Sequence, residues 1–403
     1  MRRPMVALGL LLLVAACASG RTADDQVTLR VLMADDWADT GIVIDVVRAF
    51  ERDHPGVEVA LAPRPFNQIL DDLQTDVAAG DPPDVVHQHV YAAAALDLAE
   101  PLDDLWEDGT LRREDYFPGA ITDVSWGGGI YGVPLDINAM FLLLDADIAA
   151  DLGIPETFDE VRAFAEEAVA RGSRGMAIPA STWVTYGWVR ANGGEYVQID
   201  DDGQPSFTFD SPEVVQTLDF LGQLVADDLA YGPTARGVGA DAVELFGGGD
   251  TAMLTTGTYA VAELEAGSDR EFVSAPMPRG TTGSTQGSVL GGSSLLVGRG
   301  SPNRQLAIEF ILALTDPGLE VALAEEEGRM PPRIASYQPP RFRAPAMDTL
   351  GEQLPTASPM LMDAFPAANE ALSTAIEEIL TGRADAGPSL RHAQAVAEAS
   401  VSS

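Results

Sequence analysis

Val27-Thr28-Leu29-Arg30-Val31-Leu32-Met33, then the loop Ala34-Asp35-Asp36-Trp37, then Ile42 to His54, is the stretch on which the fold turns. The first seven residues read as a short strand, rich in aliphatic and β-branched side chains. After the loop, Val43, Val46, Val47 and Phe50 recur at helical spacing and form one apolar face. Pro55-Gly56 stops that helix, and Val57 to Ala62 is the next strand. The cycle repeats: a helix from Phe66 to Ala79 closed by Gly80, a buried strand opened by Pro83-Asp84-Val85-Val86, and a helix from Ala92 to Leu98. Strands separated by helices of about 10 to 15 residues predict an α/β fold with a largely parallel sheet and right-handed crossovers. Ligands of such sheets sit beyond the carboxyl ends of the strands. Those ends carry Asp35, Asp36 and Trp37 in one case and His87 to His89 in another.

Further along, the pattern restarts after Gly127-Gly128-Gly129, with short strands at Ile130 to Pro134 and Met140 to Leu144. Thr157 with Glu160 predicts a capping box opening a helix to Arg171, and Ser211 caps a helix from Pro212 to about Asp228. Helices at Arg304 to Leu314, Leu319 to Glu327, Leu372 to Leu380 and Ser389 to Ala399 complete the chain, with a break at Met330-Pro331-Pro332-Arg333. In the other direction, Arg2 and Arg3 precede an apolar run from Met5 to Ala16 that is short for a membrane span, which reads as a secretory signal peptide over residues 1–16. Val14-Ala15-Ala16-Cys17 resembles a bacterial lipobox, and Cys17 is the only cysteine in the chain. The expectation is cleavage before Cys17, lipidation of its sulfur, and a polar tether over 17–26.

Among 403 residues there are 62 acidic and 24 basic ones, a net charge of −38, and every basic residue is Arg. Removal of Arg2 and Arg3 takes the charge to −40, a surface on which added salt relieves self-repulsion. So negative a field repels phosphate backbones and makes nucleic acid a poor partner. Without Lys there is no P-loop, Schiff base or Ser-Lys pair. Gly127 to Gly132 fits G-x-G-x-x-G by letter, but Val133-Pro134 follows where a helix should start, so the glycines read as a turn. The sequences G-x-S-x-G, H-E-x-x-H and C-x-x-C do not occur. No enzyme and no cofactor is indicated. His87 and His89 on one strand face leave a metal open as a lesser alternative.

Eight pieces in order carry a family likeness. Asp81-Pro82-Pro83-Asp84-Val85-Val86 is similar to a G-x-x-P-D-V strand, Leu98-Ala99-Glu100-Pro101-Leu102-Asp103-Asp104 to an L-x-P-L-D-D turn, and Tyr131-Gly132-Val133-Pro134 to a Y-G-V-P crossover. Leu144-Asp145-Ala146-Asp147 stands where a Y-N-K-D segment is common, with the Asn and Lys replaced. Asn192-Gly193-Gly194-Glu195 with Thr208-Phe209-Asp210-Ser211-Pro212-Glu213, then Phe246 to Met253, Pro276-Met277-Pro278 with Gly291-Gly292, and Ala307 to Pro317 complete the set. The chain resembles extracellular solute-binding proteins of the carbohydrate ABC importer class, the maltose-binding-like group, over about Val27 to Ala399. The resemblance implies a two-lobe, periplasmic-binding-protein-like (Venus flytrap) fold with the ligand cleft between lobes. Matched crossovers put lobe one at 27–134 and 291–335, and lobe two at 135–290 and 336–403. The implied role is a monomeric lipoprotein on the outer face of the bacterial membrane, or in the periplasm, that closes on a sugar or oligosaccharide and delivers it to permease subunits. A peptide, a polyol or glycerol phosphate on the same scaffold is the alternative, the phosphate ester disfavoured by the acidic cleft.

A sugar presents C–H faces and many hydroxyls, so its site needs aromatic platforms and planar hydrogen-bonding groups. From lobe one the candidates are Asp35, Asp36 and Trp37, with His87 and Gln88 at the end of the P-D-V strand. Asp136 and Asn138 follow the Y-G-V-P crossover. Lobe two offers Trp183 as the best platform, Tyr186 and Trp188 as either further platforms or the core of a helix, and Gly257 and Tyr259 after the A-M strand. Gly291, Gly292 and Ser293 lie where backbone approaches closely. Arg333 is expected at the surface or at a lobe contact.

Overall fold

A computed structural model describes residues 26–233, 242–283, 286–337 and 345–402; Cys17 and its lipobox lie outside them. The decisive stretch forms its strands and long helix as the pattern dictates, but a helical turn stands where a loop is expected. Val27–Ala34 (β1) pairs in parallel with Val57–Arg64 (β2), Val27 opposite Val57 and Ala34 opposite Arg64. On its other side β1 pairs in parallel with Val85–Gln88 (β3). After β1 the chain makes one helical turn, Asp35–Ala38 (α1). Then comes Gly41–Asp53 (α2), started by Thr40, whose Oγ1 accepts the Val43 N–H at 3.3 Å. Beyond β3 the sheet changes direction: Ser288–Val297 runs antiparallel to β3 and to Gly132–Ala139.

The second sheet corrects the expectation of largely parallel strands. Phe141–Asp145 lies between Met253–Thr256 and Phe272–Ala275, antiparallel to both. Its Phe141 to Leu144 run is buried on both faces, as in parallel strands. Its partners arrive more than a hundred residues later, so local spacing carries no information about their direction.

Each sheet has its own core. One gathers β1, β3, Val133, Leu135 and Leu295 to Val297 against Phe310 and Ile311. The other gathers Met140, Leu142, Phe164, Trp188, Phe209, Leu218 and Val289. The strand Ser288–Val297 therefore passes from one core to the other, and Gly132–Ala139 runs beside it from the first core up to Met140 of the second. A third cluster, unforeseen in the sequence, sits along that passage: Phe117, Ile137, Phe141, Leu290, Leu350 and Leu354. The ladder shifts register between Ser293 and Ser294, beside Gly292 at φ +113°. A Cβ at Gly292 would stand 2.4 Å from the Asp136 carbonyl oxygen, so only glycine permits the bend.

Several local expectations hold. Thr157 and Glu160 form the capping box of Phe158–Ala170, and Ser211 caps Pro212–Ala226. Gly127 and Gly128 turn the hairpin between Ser125–Trp126 and Gly129–Ile130, with φ of 52° and 78°. Arg333 departs from expectation. Its side chain is only 12 % exposed, pairs with Glu320, donates to the Thr315 carbonyl at 2.6 Å and lies 4.7 Å over the Tyr116 ring.

Candidate functional site: a cleft between the two cores

A cavity of about 500 Å³ lies between the cores. One wall is built from strand ends: Ala34 at the end of β1 with Asp36 and Trp37 after it, Phe66 after β2, and His87 in β3. The crossing strands supply Asp136 to Asn138 and Gly291 to Ser293. Trp183 comes from the edge of the second core, Thr258 from the turn after Met253–Thr256, and Gly328 to Met330 from a third connection.

His87 is 1 % exposed. Its Nδ1 accepts the Ala34 N–H at 3.3 Å, and its ring meets Trp37 and Phe66 edge-on, each at 5.4 Å between centroids. Burial pushes its pKa down to about 3, against the pull of Asp36. The ring is therefore neutral, with its proton on Nε2 because Nδ1 is the acceptor. That Nε2–H is itself buried and has no hydrogen-bond partner among the described residues, an unpaired donor in the residue that lines the wall.

Asp136 is buried, and burial pushes its pKa up to about 6 although the Ser293 hydroxyl donates to its Oδ1. Asn138 is fixed through its carbonyl oxygen, which accepts from the Ala139 N–H at 2.9 Å and from the Thr258 N–H and hydroxyl, both at 3.4 Å. Its amide nitrogen is left as donor. A Cβ at Gly257 would lie 2.5 Å from that nitrogen, so Gly257 makes room for Asn138.

Trp183 sits in the first turn of Thr182–Ala191, which starts where the Ser181 hydroxyl accepts the Val184 N–H at 3.3 Å. The helix buries Thr185, Tyr186, Trp188 and Val189, and Trp183 is half-buried. A Cβ at Gly291 would stand 3.3 Å from Trp183 Cζ2, so the indole rests against bare backbone. Opposite, Arg329 donates to Asp36 Oδ2 and stacks 4.9 Å over the Trp37 ring.

The cavity thus gathers Asp36, Trp37, His87, Asp136, Asn138, Trp183, Gly291, Gly292 and Ser293. Other candidates fall elsewhere. Asp35 is exposed and accepts the Asp36 N–H. Gln88 bonds the Phe66 carbonyl and the His89 N–H, and faces a separate recess of about 320 Å³. Trp188 is 1 % exposed and packs on Phe158 at 5.6 Å; it is core. Tyr186 is also buried, 5.1 Å from Tyr196, because the helix is covered on all sides from Thr185 to Val189. Tyr259 opens the helix Tyr259–Gly267, and its side chain lies outside the described residues. The sequence reading missed Phe66, Thr258, Arg329 and Met330. Phe66 comes after β2 as Trp37 comes after β1, so the strand-end rule applied once more would have found it. Arg329 carried no such signal.

His87 and His89 do not converge. His89 Nδ1 lies 2.9 Å from Asp123, whose other oxygen accepts from the Ser294 hydroxyl at 2.6 Å. Burial works against a charge on His89, but Asp123 outweighs it and the pKa is raised. Phe66 stands edge-on to both imidazoles. Among the described residues, no group of three or more His, Cys, Asp or Glu is placed to hold a metal ion.

Comparison with known proteins places this geometry. An uncharacterized lipoprotein in the oleD 5' region of Streptomyces antibioticus is 28 % identical over 346 residues, 82 % of this chain and 76 % of that protein. The diacetylchitobiose binding protein DasA of Streptomyces coelicolor is 28 % identical over 367 residues, 83 % of each. The sugar-binding protein MalE of Xanthomonas citri superposes with a TM-score of 0.79 at 20 % identity, covering 93 % of this chain and 98 % of that one. The fold is therefore the two-lobe, maltose-binding-protein-like α/β fold. The family described as bacterial extracellular solute-binding protein matches residues 45–349. With three quarters of its length inside that match, the chain belongs to the bacterial extracellular solute-binding proteins.

Proposed function

We propose that the protein is the substrate-binding lipoprotein of an ABC importer, that it captures a sugar or oligosaccharide by hinge closure, and that it passes the ligand unchanged to the permease. One observation carries this reading. A half-buried indole, Trp183, faces a cavity whose remaining wall is lined by Asn138, with its amide nitrogen free to donate, by the Asp136 carboxylate, and by His87, whose buried Nε2–H has no partner among the described residues. Such a set suits a ring with C–H faces and hydroxyls that both donate and accept. Relatives named for a chitobiose derivative and for sugar point the same way.

In this reading lobe one is 27–134 with 291–335, and lobe two is 135–290 with 336–403. The nine predicted residues that line the cavity, joined by Phe66, Thr258 and Arg329, contact the ligand or hold those that do. A ligand touching both walls favours the closed state because only there are both sets of contacts made. Lipid on Cys17 would hold the monomer at the outer face of the membrane, as the lipoprotein relative accords with; Cys17→Ser should release soluble protein in cell fractionation. Thermal shift against sugars, polyols and peptides tests the ligand class, since ligand at a hundred times its Kd stabilises by about 2.7 kcal/mol. A shift with a peptide or polyol, and with no carbohydrate, would sink the sugar reading.

A further inference from the structure

Trp37 lines the cavity, yet it offers no platform: it is 2 % exposed, its edge contacts are with His87, and its face lies under the Arg329 guanidinium at 4.9 Å. Arg329 is held there from both ends. Gly328, at φ +67°, ends the helix Pro317–Glu327, and the Arg329 N–H turns back to the Leu323 carbonyl at 3.2 Å. The next residue is fixed too, since the Met330 carbonyl accepts the Ile137 N–H at 2.9 Å. At the far end the guanidinium donates to Asp36 Oδ2, a pair at the cavity rim with side chains 30 % and 57 % exposed. A planar cation thus lies where the C–H face of a second or third sugar ring would otherwise stack.

We propose that Arg329 is a specificity-determining residue that limits ligand length, by covering Trp37 and closing the lobe-one end of the cavity. This rests on the sugar reading. With Arg329 in place, the rings that fit are those between it and Trp183, and about 500 Å³ sits in the lower half of the roughly 300–1,000 Å³ that ligand pockets span. A longer chain must first displace a guanidinium that is both stacked and ion-paired. Removing the guanidinium frees an indole face contiguous with the cavity.

The test measures calorimetric affinity for malto-, chito- and galacto-oligosaccharides of increasing ring number on the full mature chain, with Arg329→Ala and Arg329→Lys. Lys keeps a cation for Asp36 but loses the flat stack. Wild type should gain nothing beyond a short saccharide. Arg329→Ala should raise the ratio of long-chain to short-chain affinity roughly tenfold, and Arg329→Lys by less. A uniform loss across all lengths, with the ratio unchanged in both variants, overturns the proposal and makes Arg329 an ordinary contact. If Arg329→Ala does not fold, the Lys ratio alone decides. No binding of any series by wild type overturns the sugar reading itself, an outcome distinct from an unchanged ratio.

Discussion

Trp37 and Trp183 face one cavity from opposite walls, and their surroundings differ. Trp37 is sealed into the first core and carries a guanidinium on its face. Trp183 is half-buried at the start of a helix, against a glycine strand. Both are tryptophans placed where ligand is expected, yet one is sealed and covered while the other keeps part of its surface in the cavity. The difference lies in the backbone on the C-terminal side of each residue. Trp37 leads into a helix whose start folds back onto it, with the Thr40 hydroxyl donating to the Trp37 carbonyl at 2.9 Å. Trp183 is the second residue of its helix, packed against the edge of the second core and half-buried, with its indole also lining the cavity.

The largest effect should come from breaking the sealed side. Trp37→Ala empties a site in a close-packed core and should cost about 3–5 kcal/mol of stability, read from denaturant unfolding. Trp183→Ala should instead leave unfolding nearly unchanged while affinity falls by about 2 kcal/mol, roughly thirtyfold. If the two variants lose stability equally, the walls do not differ and Trp183 is core.

Asp136 sharpens the contrast through pH. Its pKa is raised to about 6 by burial, so the neutral form is favoured in the folded state. A carboxyl raised above its unfolded value adds stability below the unfolded pKa near 3.9 and loses it as pH rises through 6. The unliganded protein at pH 7 therefore holds an ionised carboxylate at a cost on the order of 2–3 kcal/mol. Asp136→Asn should recover part of that cost at pH 7 and little at pH 4, while weakening ligand binding. A melting-temperature difference that is the same at both pH values would show that burial does not set this pKa.

The range of each interaction decides how much of the molecule was legible in the sequence. β1, α2 and β2 are local: periodicity, Thr40 and Pro55-Gly56 specify them, and the parallel pairing of β1 with β2 and β3 comes from the crossovers. The antiparallel second sheet was not legible because Phe141–Asp145 finds both partners across more than a hundred residues. The cavity wall divides the same way. Strand ends and crossover glycines mark Asp36, His87, Asn138 and Gly291 from sequence alone. Trp188 was misplaced because Thr182–Ala191 is covered on all sides from Thr185 to Val189, on the Trp188 side by Phe158 and Phe220, which come from other helices. Arg329 was missed because its role depends on Asp36 and Trp37, almost three hundred residues earlier.

The smallest effect tests how Trp183 is aimed. Gly291 and Gly292 are adjacent, but they should respond differently to alanine. Gly292 has φ +113° and a Cβ there would press on the Asp136 carbonyl, so Gly292→Ala should destabilise by about 1–3 kcal/mol. Gly291 has no such backbone restriction, and its Cβ would meet only Trp183 Cζ2 at 3.3 Å and Asn138 Cβ at 3.8 Å. The indole must yield by a few tenths of an ångström, which it can do toward the open cavity. Stability should then hold or rise by about 0.4–1 kcal/mol, because alanine restricts the unfolded chain. Affinity should fall a few-fold, under about 1 kcal/mol, as the stacking face tilts. Equal affinity in wild type and Gly291→Ala would mean that the ligand does not rest on Trp183. A large stability loss would mean that the indole is wedged from behind and belongs, like Trp37, to the sealed side.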